Sequence, residues 1–111
     1  MPVITTDTPP ATTTDTHYIA YIASGEPPWC PDVRNALPAL NAVFGGASAP
    51  KLYLVRVGLR DEWKDPKNKF RHPPYSLQGV PTVVKVKNGK EVERLGDKAS
   101  QSQDSLGKLL D

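Results

Sequence analysis

One residue in this chain has the chemistry of a strong nucleophile. Cys30 stands in PPWCPDV, preceded by Trp29 and followed by Pro31, Asp32 and Val33, and it is the only cysteine among 111 residues. An aromatic, a cysteine, a proline and an acid in a row, at what reads as a helix start, present a sulfur as disulfide exchange requires. The thiolate is the attacking form, and the unpaired N–H groups and positive dipole end of a helix N-terminus favour it. Pro31 suits the first helical turn but removes one of those donors, and Asp32 adds a negative charge that partly opposes the thiolate. Val33 lies three residues on, hence on the same helical face, where a dithiol enzyme would keep the thiol that releases product. Valine cannot do this, and it reads as the first core residue of the helix. A bland reading of Cys30 stands beside the chemical one: free cysteine is among the most buried residue types and can serve as a small hydrophobe.

The other candidates also divide between chemistry and packing. Trp29 is either a flat wall against which substrate lies or an aromatic packed at a loop edge. His17 opens an apolar run, and His72 sits in a loop with Arg71, Pro73 and Pro74. One cysteine and two distant histidines have no metal-ligand spacing, so no metal or other cofactor is expected.

The elements that must position Cys30 follow from the pattern around it. HYIAYIA, residues 17–23, is a continuous run of β-formers of the kind buried on both faces of a sheet. After the turn SGEPP, residues Val33, Leu37, Leu40 and Phe44 fall on one helical face, and Gly45-Gly46 ends that helix. Pro38 is inside it and predicts a kink. KLYLVRV, residues 51–57, completes a parallel strand–helix–strand crossover. DPKNKFR predicts a short helical turn with Asp65 as N-cap and Pro66 at its first position. VPTVVKVKNGKEVERL reads as two strands joined by Asn88-Gly89, the strongest short hairpin signal. The lysines from 85 to 98 read as a solvated face and edge protection. DKASQSQDSLGKLLD reads as a closing helix. Residues 1–16 read as an irregular arm in which only PVITT can make a short strand. The expectation is a single α/β domain over residues 1–111, three layers deep, with a mixed central sheet flanked by helices.

Composition narrows the function classes. Fourteen basic and twelve acidic residues give a formal charge of +2, without a basic run, so nucleic acid is not an expected partner. No stretch reaches the ~20 apolar residues of a membrane span, and the N-terminus lacks the basic flank and apolar segment of a secretory signal. A soluble protein of a reducing compartment, the cytoplasm, is expected.

Trp29-Cys30-Pro31 at a helix start, with GVPT just before a hairpin, resembles the thioredoxin fold. WCPD followed by VGLRDEWKDPKNKFR and VPTVVKV is more specific. It resembles the fourteen-kilodalton thioredoxin-related proteins, the thioredoxin-domain-containing protein 17 family, from about His17 to the C-terminus. The family has a second cysteine where Val33 stands, and a longer N-terminal region with a helix that residues 1–16 can hardly supply. The first departure tells against ordinary dithiol reduction, and the second leaves one sheet face less covered.

The resemblance implies a cytosolic reductant of small or exposed disulfides, with Cys30 as the attacking thiol. It places Pro81 in cis as the residue that positions substrate, and gives Val80 a free backbone edge that can pair with an extended substrate. Trp63, Lys64 and Asp65 come with the family pattern as a rim that selects substrate, although a helix start with Trp63 packed over it explains them as well. Three functions then compete. In the first, favoured here, Cys30 attacks a disulfide in a small molecule, a glutathione adduct or a protein, and glutathione or another external thiol resolves the intermediate. Oxidation would then also give a Cys30-linked dimer. In the second, the Val80-Pro81 edge binds partners without turnover. The third, an iron–sulfur or glutathione carrier like the monothiol glutaredoxins, lacks their motif.

Overall fold

The computed structural model describes residues 3–10 and 15–110. Along the chain run strand β1 (Val3–Thr6), strand β2 (His17–Ile22), helix α1 (Pro31–Phe44), strand β3 (Leu52–Arg56) and helix α2 (Arg60–Lys64). Strands β4 (Thr82–Lys87) and β5 (Lys90–Leu95) and helix α3 (Gln103–Leu109) follow, with 3₁₀ turns at Lys69–Arg71 and Ala99–Gln101. The sheet order is β1-β3-β2-β4-β5. β1, β3 and β2 are parallel, β4 runs antiparallel to β2, and β5 closes the hairpin.

β2 is apolar throughout because both of its faces are covered: all six residues are buried. Tyr18 packs on Phe44 of α1, with ring centroids 5.2 Å apart. Tyr21 points to the other face and meets Phe70 and Tyr75 at 5.8 and 6.0 Å. Helix α1 buries Val33, Ala36, Ala39, Leu40 and Phe44, and it runs on past Pro38. The hairpin turns at Asn88 and Gly89 with φ of 54° and 78°, the left-handed pair that favours these two residue types. Val3–Thr6 of the PVITT stretch form the edge strand β1, and Asp7 just beyond it pairs with Arg56 of β3 at 2.7 Å. The face opposite α1 keeps a groove of about 180 Å³ among Pro10, His17, Ile19, Tyr75 and Val84.

Two expectations need correction. Asp65 closes a helix and does not open one. Glu62 reaches back to accept the Leu59 N–H at 2.8 Å and so starts α2 at Arg60. Pro66 then forces Asp65 into extended backbone, ψ 124°, and Asn68 caps the following 3₁₀ turn by accepting the Phe70 N–H at 3.0 Å. The closing helix is also divided. Ser102 accepts the Ser105 N–H at 3.2 Å and so caps α3, and the residues before it form the separate 3₁₀ turn.

Burial of Tyr21, assisted by Tyr75 and Glu91 and opposed by Arg94, pushes its phenol up from 10.0 to about 12. The neutral form is thus favoured on folding. The sign follows: this stability is complete below the unfolded value, is lost as pH rises from about 10 towards 12, and amounts to on the order of 2 kcal/mol. We expect Tyr21→Phe to flatten the loss of stability across that window. Urea titrations at a series of alkaline pH values check this, and parallel curves for the two proteins would contradict it.

Candidate functional site

Cys30 closes the loop from β2 and caps α1. Its backbone is extended, φ −89° and ψ 122°, no side chain caps the helix, and Pro31 begins it. The sulfur is partly buried. The thiol donates to the Val80 carbonyl at 3.7 Å. This contact joins positions 50 residues apart, and it exists because β2 and β4 are neighbours and end their core at the same rim of the sheet. The Val80–Pro81 peptide bond is cis. Pro81 is fully buried, and no backbone partner takes the Val80 N–H among the described residues.

Trp29 is held from two sides. Its N–H donates to the Ser24 carbonyl at 3.3 Å, and its indole Nε1–H donates to the Gly58 carbonyl at 3.0 Å. Gly58 and Ser24 are locked together in turn: the Ser24 N–H donates to the Gly58 carbonyl at 3.1 Å, and the Gly58 N–H to Ser24 Oγ at 3.0 Å. Gly58 has φ +123°, and a β-carbon there would stand 2.8 Å from Glu62 Cβ, so only glycine fits. The ring of Trp29 remains partly exposed next to the sulfur. Arg34, one turn into α1, donates to the Pro28 carbonyl at 2.7 Å and fixes the other end of the loop.

The remaining candidates are placed as follows. Pro31 is exposed and Asp32 half-buried at the helix start, while Val33 is 0% exposed and faces the core. Trp63 is buried, with the Arg71 guanidinium 4.4 Å from its ring centroid and Arg71 Nε donating to its carbonyl at 2.6 Å. It belongs to the hydrophobic core, while its chain neighbours Lys64 and Asp65 are exposed. His72 Nε2 lies 2.6 Å from the Pro66 carbonyl, and His17 Nδ1 lies 3.2 Å from the Asp15 carbonyl. Among the described residues no group of three or more His, Cys, Asp or Glu side chains could hold a metal ion. No helix among them is long and apolar enough to cross a membrane.

Sequence reasoning singled out Cys30 and Trp29 but missed Ser24 and Gly58, which hold the tryptophan. The available signal was positional: both follow directly on parallel strands, at the carboxyl ends where α/β sheets place their sites.

Residues 12–111 match the family described as thioredoxin domain-containing protein 17-like, thioredoxin domain. A thioredoxin domain-containing protein of Schizosaccharomyces pombe is 40% identical over 75 residues, covering 64% of this chain and 60% of that protein. The thioredoxin-like protein Clot of Oryza sativa subsp. japonica is 33% identical over 94 residues, covering 79% and 68%. Among solved structures, a mutant thioredoxin from Halobacterium salinarum NRC-1 superposes with a TM-score of 0.67 at 20% identity, over 96% of this chain and 86% of that one. Thioredoxin NaTrxh from Nicotiana alata gives 0.65 at 22% identity, over 96% and 88%. These two likenesses establish a thioredoxin fold.

Proposed function

The chain belongs to the thioredoxin domain-containing protein 17-like family, and from that premise we propose that it is a monothiol thiol–disulfide oxidoreductase. The Cys30 thiolate attacks one sulfur of a disulfide in a small molecule, a glutathione adduct or a protein. A bond forms between Cys30 and that sulfur, the old S–S bond breaks, and the other half leaves as a thiolate. An external thiol then attacks the mixed disulfide. Glutathione or a thiol on the partner fills this role, takes the substrate sulfur into a new disulfide and returns Cys30 as a thiolate. Val80 offers its unpaired N–H to the substrate backbone, and Trp29 gives the substrate a flat wall. A reducing cytoplasm is the setting in which such a resolving thiol is abundant.

The observation that carries this reading is the placement of a partly buried sulfur at an uncapped helix start, 3.7 Å from the Val80 carbonyl. Oxidised glutathione tests it. The native protein should gain one glutathione by intact mass without denaturant, and diamide should yield a Cys30-linked dimer that reductant reverses. If the native chain gains neither while a control thiol peptide is modified, the sulfur is closed to disulfides and the scaffold serves binding alone.

A further inference from the structure

The loop that leads to Val80 and the end of β5 enclose a cavity of about 410 Å³ lined by Gln78, Gly79, Thr82, Arg94 and Asp97, among others. This cavity carries one charge of each sign, but the two are not equivalent. Arg94 is already engaged: its Nε and Nη2 donate to the two Glu91 carboxylate oxygens at 2.8 Å, Nη2 also donates to the Tyr75 carbonyl at 2.8 Å, and Nη1 to the Ser76 carbonyl at 3.4 Å. Its charge is neutralised, and its donors hold the loop that leads to Val80. Asp97 has no such partner. Its Oδ1 accepts only the Lys98 N–H at 3.0 Å, and Oδ2 takes no hydrogen bond from the described residues.

Asp97 Oδ2 lies 3.9 Å from where a β-carbon on Gly79 would stand. The carboxylate therefore stands beside the residue that precedes Val80. Thr82 braces this stretch by donating its hydroxyl to the Gly79 carbonyl at 2.7 Å. The Val80 carbonyl is 3.7 Å from the Cys30 sulfur and Gly79 is its chain neighbour, so an extended peptide that pairs with Val80 while its cysteine reaches Cys30 passes close to this carboxylate.

We propose that this cavity is a specificity subsite, and that Asp97 selects disulfide peptides with a cationic side chain beside the reacting cysteine. The inference rests on the proposed role of Cys30, and its test separates the two. Short peptides with a single cysteine flanked by Lys, Gln or Glu are joined to thionitrobenzoate as mixed disulfides. Attack by Cys30 on the peptide sulfur forms the Cys30–peptide disulfide and expels thionitrobenzoate with the bonding pair, which is read by its colour. The Lys peptide should react about fourfold faster than the Gln peptide, the upper range for an exposed ion pair, and the Glu peptide more slowly than either. The preference should shrink with added salt.

Asp97→Asn should bring the three rates together, and Asp97→Lys should reverse their order, with thermal melts confirming that both variants fold. If no peptide reacts, the role of Cys30 fails first. Should all three react equally in the natural protein, or should the Lys preference survive in Asp97→Asn, the subsite is overturned while the exchange chemistry stands.

Discussion

Val33→Cys is expected to let the site release its product without the external thiol that the proposed mechanism requires, leaving an intramolecular disulfide between positions 30 and 33 that the assay reductant reopens. Position 33 lies three residues after Cys30 at the start of α1, and helix geometry sets Cα atoms three residues apart at about 5 Å. A disulfide accepts Cα separations of about 4.4–6.8 Å, so the two sulfurs can bond with little backbone movement. Val33 is fully buried, which suits a resolving sulfur: it meets the mixed disulfide from beneath and stays out of the substrate's path.

The cost is the loss of about one methyl-sized volume, on the order of 1 kcal/mol, because cysteine buries well. The gain is kinetic. Release of product no longer depends on the concentration of a second molecule, and reduction of insulin, expected to be poor in the natural protein, should rise on the order of tenfold or more. Mass spectrometry under mild oxidation should show loss of two hydrogens within one chain and no dimer. A folded variant whose two thiols both stay free would mean that Cys30 and residue 33 are not disposed as a thiol pair, and the proposed exchange mechanism would lose its geometric basis.

What the sequence disclosed, and what it hid, depends on whether the cause of each feature is local. The β2 run was legible because a strand covered on both faces needs no polar residue. The stripe from Val33 to Phe44 was legible because one helix face must be apolar, and Asn88-Gly89 because its left-handed turn restricts residue type. α2 was not legible, because its start depends on a glutamate reaching back to a leucine amide, and leucine is not an N-cap type. The support of Trp29 was hidden for a different reason: its partner, Gly58, lies 29 residues away, and only the pairing of β2 with β3 brings them together. The Asp97 cavity likewise arises where the end of β5 returns beside the Val80 loop, and no spacing along the chain encodes that meeting.

Cys30→Ser should abolish exchange and make the protein more stable, and the conjunction says more than either result alone. Cys30 is the N-cap of α1, with the extended backbone that N-caps adopt, yet its side chain makes no cap hydrogen bond. Serine is among the preferred N-caps, since its oxygen accepts an N–H of the first turn that otherwise has no partner. Exchanging a non-capping residue for it is worth about 1 kcal/mol. In a chain of this size that corresponds to a rise in Tm of about 4 °C. The hydroxyl can instead turn to donate to the Val80 carbonyl, as the thiol does at 3.7 Å, and either arrangement is tolerated. On the proposed function, a sulfur at a position where oxygen would cap the helix better is a place where stability yields to chemistry. Thermal melts and the thionitrobenzoate assay on the same preparation check both halves. If the serine protein keeps measurable exchange, the nucleophile is not Cys30. If it is inactive but clearly less stable than the natural protein, the sulfur contributes to packing, and its retention needs no catalytic explanation.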